Sequence, residues 1–164
     1  MQKPKKNIDL VIPFNNEFQN LQILLPQILK TIKTIKNFNV RIVFIDDGSF
    51  DMSHSIVKKY QKKNKSIKLL INTTKKGQTY CYRSYLKKFK SSFFIRMDAD
   101  NQDDPKQIKK ILKYLVEGYE MILTDRKIRK HSFYMIILNF IYDKIIDVLI
   151  DRKLSTYSSS LVCF

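Results

Sequence analysis

The sequence predicts an α/β domain: a mainly parallel central sheet with helices on both faces. Two observations predict it. Short apolar runs alternate along the chain with segments whose apolar residues recur at helical spacing. The runs are continuously apolar, which is the pattern of strands buried on both faces of a parallel sheet. Composition agrees. Hydrophobic residues make up 44% of 164 residues, enough for one core, and only 3 glycines and 4 prolines argue against a loop-rich chain. With no internal repeat and no low-complexity linker, a single domain over residues 1–164 is expected.

The elements follow in order. IDLVI at 8–12 is a buried strand ended by Pro13. Residues 17–35 set Leu21, Leu24, Leu25, Ile28, Ile32 and Ile35 at helical spacing, and Pro26 is expected to kink this helix or start a second one. VRIVFI at 40–45 is the second strand and DDGS the turn after it. Asp51 or Ser53 is a cap for a helix running to Lys63. SIKLLI at 66–71 is the third strand, and a loop with Gly77 leads into a helix over 78–89. SFFIRM at 92–97 is the fourth strand. Pro105 suits the first turn of a helix that runs to Glu117, and Gly118 suits its end. YEMILT at 119–124 is a fifth strand, and a long apolar helix is expected at 132–150.

The formal net charge is +16, carried mostly by lysine. Three readings compete: a solvated lysine-rich surface, attraction to an anionic membrane or phosphorylated ligand, and nucleic acid. No aromatic–basic motif of the known nucleic-acid modules is present, so nucleic acid is not an expected partner. Cys81 and Cys163 lie far apart and give neither a disulfide framework nor a zinc spacing, so a reducing, cytoplasmic compartment is expected. No secretory signal is read at the start, because the apolar run after MQKPKK ends at Pro13. No stretch reaches the roughly 18 apolar residues of a membrane span. The nearest, 133–150, is interrupted by Asn139, Asp143, Lys144 and Asp147.

The acids are distributed unevenly. Asp46, Asp47 and Asp51 form one short cluster, and Asp98, Asp100, Asp103 and Asp104 another. Carboxylates this close repel one another unless a cation or hydrogen-bond donors compensate. Both clusters follow predicted strands, and in parallel sheets ligands bind outside the carboxyl ends of strands. One crevice is therefore expected to collect Asn16, Glu17, Asp46, Asp47, Asp98 and Asp100. Asp98 and Asp100 are two apart at the end of an extended segment, so their side chains project to one side. Such a pair suits Mg²⁺ or Mn²⁺, with Gln102 as a further oxygen donor and open positions for phosphate oxygens. A calcium EF-hand does not fit, because Asp103 stands where the loop needs Gly and Lys109 where it needs Glu. A DxD triplet also arises by chance. Asp103 and Asp104, before Pro105, are more simply read as favouring a helix N-terminus.

VIPFNNE (11–17), VFIDDGSFDMS (43–53), KKG (75–77), MDADNQDDP (97–105) and TDR (124–126), taken in order, resemble the family 2 inverting glycosyltransferases with the A-type, Rossmann-like nucleotide-sugar-binding fold. The MDADNQDDP stretch is most similar to the polyprenyl-phosphate, dolichyl-phosphate-mannosyltransferase type. The resemblance spans residues 7–130 and implies roles. Pro13 and Glu17 match a first-strand motif that lines the nucleotide pocket, with Asn15 where the family usually has Tyr. Ile45 matches an apolar wall, and Asp47 the residue that bonds the base or ribose. Lys76 and Gly77 belong to the same donor site. Asp98, Ala99, Asp100 and Gln102 match the metal and diphosphate loop, and Arg126 an arginine on the phosphates. Asp100 and Arg126 carry the catalytic role. Beside these, Glu17 also reads as a helix-start residue and Asp47 as a turn former.

The resemblance implies displacement at the anomeric carbon of a UDP- or GDP-hexose, with Mg²⁺ or Mn²⁺ and Arg126 stabilising the leaving diphosphate. A hydroxyl acceptor needs a general base. No convincing one follows residue 105, since His131, though possible, reads more simply as a surface residue beside a basic run, and this favours an already ionised polyprenyl phosphate. The apolar face of 132–150, preceded by Arg126, Lys127, Arg129 and Lys130, suits a membrane interface or, more simply, a core helix. Peripheral membrane association is the corresponding expectation. Ser155, Ser159, Ser160 and Leu161 stand where the family has Asp, Gly, Phe and Arg, so 131–164 is expected to be an altered, shortened acceptor side after a donor-binding core at 1–130. The alternative reading is a catalytically impaired nucleotide-sugar-binding partner.

Overall fold

The computed structural model describes residues 5–124 and 162–163. The chain divides into two compact units, Met1–Ile122 with Ser160–Phe164, and Leu123–Ser159. The helix expected at 132–150 lies outside the described residues.

The elements alternate as expected: β1 (Lys6–Phe14), α1 (Phe18–Lys33), β2 (Phe38–Asp47), α2 (Ser53–Lys63), β3 (Ile67–Asn72), α3 (Gln78–Leu86), β4 (Phe93–Arg96), α4 (Gln107–Val116), β5 (Ile122–Leu123) and β6 (Val162–Cys163). The sheet order is β3-β2-β1-β4-β6-β5. Strands β1 to β4 are parallel, and β6 runs antiparallel to β4 with Cys163 opposite Ile95. After β1 the chain builds outward through β2 and β3, then returns to place β4 on the other side of β1. The strand order therefore reverses between β1 and β4, the kind of switch point that opens a crevice beyond the strand ends.

Strand alternation sorts the core into two layers. Ile8, Leu10, Ile12 and Phe14 of β1, with Ile42 and Phe44 of β2, face Leu21, Leu24, Leu25 and Ile28 of α1, Val57 of α2 and Ile108, Ile111 and Leu112 of α4. Val11, Val43, Ile45 and Phe94 face Cys81, Tyr82 and Tyr85 of α3 on the opposite side. Asp9 shares that second face. It is fully buried and accepts hydrogen bonds from Arg41 Nε (2.8 Å), Arg41 Nη2 (2.7 Å) and Tyr85 OH (2.7 Å). Arg41 is its register partner on β2. This pairing lets a charged residue sit mid-strand in a buried sheet.

Three expectations change. Helix α1 runs through Pro26 as one element, so no second helix starts there. Pro26 and Gln22, the residue whose carbonyl loses its partner, both lie on the exposed face, where water can serve that carbonyl while Leu21, Leu24, Leu25 and Ile28 anchor both sides. Helix α3 ends at Leu86 rather than near 89. The fifth strand shrinks to Ile122–Leu123, because Gly118 at φ 98° closes α4 with its own N–H on Leu115 O (3.3 Å) and Tyr119 N–H on Tyr114 O (3.2 Å), drawing the first residues of YEMILT into the helix stop. Among the described residues no helix is long and apolar enough to cross a membrane.

Candidate functional site

The carboxyl ends of β1 and β2 are knitted together by side-chain to backbone hydrogen bonds. Asn15 Nδ2 donates to Asp47 O (2.9 Å), and Asn16 N–H donates to Ser49 Oγ (3.0 Å). Phe50 N–H donates back to Asn16 Oδ1 (3.0 Å), and Glu17 N–H to Ser53 Oγ (2.9 Å). Asn16 holds φ 58°, a left-handed value that Asn tolerates better than most residues. Asp51 serves two helices at once: Oδ2 accepts the N–H of Phe18 at the start of α1 (3.3 Å), and Oδ1 the N–H of Ser53 at the start of α2 (2.9 Å). Burial pushes the Asp51 carboxyl up, but these bonds outweigh it and leave the pKa below its ordinary value.

Strand alternation separates the adjacent pair Asp46 and Asp47. Asp46 follows Phe44 to the α1–α2 side, where Oδ1 accepts Ser49 N–H (2.8 Å) and Oδ2 lies 4.0 Å from His54 Nδ1. Asp47 follows Ile45 to the α3 side. It is buried and accepts Asn72 Nδ2 (2.9 Å) and Lys76 N–H (2.9 Å) on Oδ1 and Gly77 N–H (2.7 Å) on Oδ2. Burial pushes the Asp47 pKa up, but these donors more than compensate and hold it below the ordinary value. Gly48, at φ 73°, brings the turn against the same loop: a Cβ there would stand 2.6 Å from Lys75 N and 2.7 Å from Thr74 C. The first acidic cluster is thus compensated by hydrogen-bond donors within the protein.

The second cluster opens into a cleft. Ala99 is buried in the core, while its neighbours Asp98 and Asp100 both line a cavity of about 340 Å³ beyond the strand ends. Pro13, Phe14, Asn15, Glu17, Asp47, Lys75, Gly77, Gln78 and Ala99 complete its walls. Asp98 Oδ1 accepts hydrogen bonds from Gln78 Nε2 and Tyr82 OH. Asp100 Oδ1 accepts Gln102 N–H (3.0 Å), which turns the chain back on itself. Asn101, at φ 59°, ties that turn to α1 through Nδ2 bonds to Asn20 O (3.1 Å) and Asn20 Oδ1 (2.9 Å). Asn20 Nδ2 in turn donates to Glu17 Oε2 (2.6 Å). Asp104 starts α4 by accepting Lys106 N–H (2.9 Å), the simpler role read for it.

Of the residues expected at the site, Pro13, Asn15, Glu17, Asp47, Gly77, Asp98, Ala99 and Asp100 come together around this cleft. Ile45 is buried in the layer beneath, in contact with α3 residues. Lys76 gives its backbone N–H to Asp47 and sets its ammonium 4.8 Å from the Tyr80 ring centroid. Gln102 supports Asp100 through its backbone. Asn16 ties the end of β1 to the turn after β2, and Asp46 holds that turn through Ser49 N–H. Arg126 lies outside the described residues. Sequence reasoning missed Phe14, Lys75 and Gln78. Lys75 was visible in the KKG stretch, whereas a glutamine opening a helix carries no signal of its own. A second cleft, lined by Asn7, Asp9, Asn39, Arg41 and Ser91, lies at the opposite, amino ends of the strands and away from both acidic clusters.

The donor set lining the cleft includes two carboxylates, Asp98 and Asp100, both hard oxygen ligands of the kind that fits Mg²⁺ or Mn²⁺. Among the described residues no three His, Cys, Asp or Glu side chains converge on one point.

Comparison with known proteins gives three findings. The sequence matches the family described as Glycosyl transferase family 2 over residues 9–160. It is 28% identical over 158 residues to an undecaprenyl-phosphate 4-deoxy-4-formamido-L-arabinose transferase of Photorhabdus laumondii, covering 95% of this chain and 48% of that protein. The fold matches a Pyrobaculum calidifontis mannosyltransferase solved with GDP-Man and Mn²⁺ (TM-score 0.67, 16% identity, 98% of this chain and 45% of that one). It also matches glucosyl-3-phosphoglycerate synthase of Mycobacterium tuberculosis solved with Mn²⁺, UDP and glucosyl-3-phosphoglycerate (TM-score 0.73, 12% identity, 96% and 56%). The chain spans about half the length of these relatives.

Proposed function

The chain belongs to glycosyl transferase family 2 and has the A-type fold, and from that premise we propose that it moves a hexose from a UDP- or GDP-sugar to a polyprenyl phosphate, with inversion and with a divalent cation. The observation that carries this reading is the meeting of Glu17, Asp47, Asp98, Asp100 and Lys75 around one cleft at the β1–β4 switch point. A nucleoside diphosphate has the matching chemistry: polar nucleoside edges for Glu17 and Asn15, and phosphates for Lys75 and the cation. Mn²⁺ with nucleotide in two structures of the same fold supports the choice of ligand. A polyprenyl-phosphate transferase among the relatives supports the acceptor.

Asp98 and Asp100 would hold Mg²⁺ or Mn²⁺, which when bound neutralises charge on the leaving diphosphate. Lys75 adds positive charge at the same cleft, and the role expected of Arg126 on the phosphates belongs to this proposal. The acceptor phosphate oxygen attacks the anomeric carbon, and the bond from that carbon to the diphosphate breaks. The diphosphate leaves with the electron pair. The acceptor is already ionised near neutral pH, so no base has to remove a proton at this step. A cytoplasmic protein at a membrane surface, where such a lipid is presented, belongs to the same proposal.

Calorimetric titration with UDP and GDP tests the donor site. Mn²⁺ is expected to strengthen binding of one nucleotide at least tenfold, and Asp100→Ala to abolish that gain. Equally strong binding with and without metal would overturn the metal's role. Transfer from UDP- or GDP-hexoses to polyprenyl phosphate in detergent tests the reaction, and binding without transfer would favour the non-catalytic partner instead.

A further inference from the structure

The segment Lys76–Gly77–Gln78 spans from one acidic cluster to the other. At its start, Asp47 on β2 accepts the N–H groups of Lys76 (2.9 Å) and Gly77 (2.7 Å). At its end, Gln78, the first residue of α3, donates its side-chain amide to Oδ1 of Asp98 beyond β4. Tyr82 lies four residues along the same helix, one turn on, and so shares the face of Gln78. Its hydroxyl lies 3.5 Å from the same Asp98 oxygen and 3.2 Å from Met97 O. Strand alternation sets this up. Ile45 and Asp47 on β2, and Phe94, Arg96 and Asp98 on and beyond β4, follow one parity toward the α3 face, so the start of α3 lies between the two carboxylates.

We propose that Gln78 is a positioning residue for Asp98, fixing one oxygen of its carboxylate so that it presents a single orientation to a cation at the cleft. The proposal rests on the metal-dependent donor site described under Proposed function. A carboxylate that takes part in a cation's shell gains from being held in place before the cation arrives, because rotamer freedom otherwise has to be lost on binding. Gln78 is well suited. Its donor is neutral, so it holds Asp98 without competing for the cation's place as a lysine or arginine would. Its backbone departs from Gly77, whose N–H is bonded to Asp47, so the amide reaches Asp98 from a fixed point. Tyr82 backs the same oxygen from a buried position, its one hydroxyl hydrogen shared between Met97 O (3.2 Å) and Asp98 Oδ1 (3.5 Å).

Gln78→Met keeps the side chain's length and removes only the donor. The probe is Mn²⁺ with UDP and with GDP, measured against the same nucleotides in EDTA. In Gln78→Met the Mn²⁺ affinity of the nucleotide complex is expected to fall about 10- to 100-fold, the usual range for losing a residue that supports a metal ligand, a larger loss than that of nucleotide binding in EDTA, which Gln78 touches only as part of the cleft wall. Tyr82→Phe, whose bond is longer, is expected to lose severalfold. A general structural role would instead weaken nucleotide binding in EDTA to the same extent and lower the unfolding temperature. If the wild-type protein gains nothing from Mn²⁺ with either nucleotide, the donor-site reading fails and this inference with it. If the wild-type protein shows the gain and Gln78→Met retains it within twofold, or loses binding equally in EDTA, the positioning role alone is overturned.

Discussion

Asp47→Asn tests how much the buried turn at the end of β2 depends on one charge. The native carboxylate accepts three hydrogen bonds, from Asn72 Nδ2, Lys76 N–H and Gly77 N–H, at 2.7–2.9 Å. An asparagine has one carbonyl oxygen, so in either orientation its amide faces at least one of these donors. The bond lost is to a charged acceptor, worth about 1.5–3 kcal/mol, and the stranded donor adds part of a further 1–3 kcal/mol. A total of about 2–4 kcal/mol follows from these ranges. At roughly 2–4 °C per kcal/mol for a chain of this size, the unfolding midpoint should fall by about 4–16 °C at pH 7. The pH dependence supplies an internal check. The Asp47 pKa is below its ordinary 3.8 in the folded protein, so its stabilisation is present in full above that value and is lost as pH falls through the folded pKa. Scanning calorimetry from pH 7 to pH 3 should therefore show a constant gap between wild type and variant down to about pH 5 and a shrinking gap below about pH 4. A gap under 2 °C at pH 7, or one that persists unchanged in acid, would refute the reasoning.

Two glycines with positive φ should differ sharply. Gly48→Ala drives a Cβ to 2.6 Å from the backbone of Lys75 and should cost about 3 kcal/mol or more, whereas Gly118→Ala meets nothing within 4 Å and should cost only the left-handed penalty, about 1–2 kcal/mol, both read by urea denaturation. Arg41→Ala leaves the buried Asp9 carboxylate with Tyr85 as its remaining side-chain donor among the bonds described, and should destabilise by about 3 kcal/mol, the lower end for a broken buried pair because the Arg41 side chain is 47% exposed. Both cysteines are buried, and burial raises their pKa values to about 12, so neither should react with a disulfide reagent in the native protein at pH 8, while both react in denaturant. A native thiol titrating within minutes would contradict the described burial.

Much of this was legible in order along the chain. The continuous apolar runs identified β1 to β4, because a strand covered on both faces has no polar side to interrupt the pattern. Gly118 was read as the end of α4 for the same local reason, since the helix stop needs a positive φ. Of the two readings of Pro26, a second helix starting there is excluded, because the local rule about a missing N–H was outweighed by the burial of Leu21, Leu24, Leu25 and Ile28 on both sides of it. That Asp98 and Asp100 would lie at the cleft was legible from their position after a strand. The assignment of the first cluster was not, since spacing cannot say which face Asp46 or Asp47 takes or which donors wait there.

The sequence by itself determined the layered α/β fold, the order of its elements and the acidic segments at strand ends, because hydrophobic periodicity and turn residues act locally. Only the tertiary structure decided that Asp47 is spent on the backbone of Lys76 and Gly77 while Asp98 and Asp100 open to the cleft. Strand order and register bring together residues 25 to 30 positions apart, and the hydrogen bonds that then form exist in no local window of the chain.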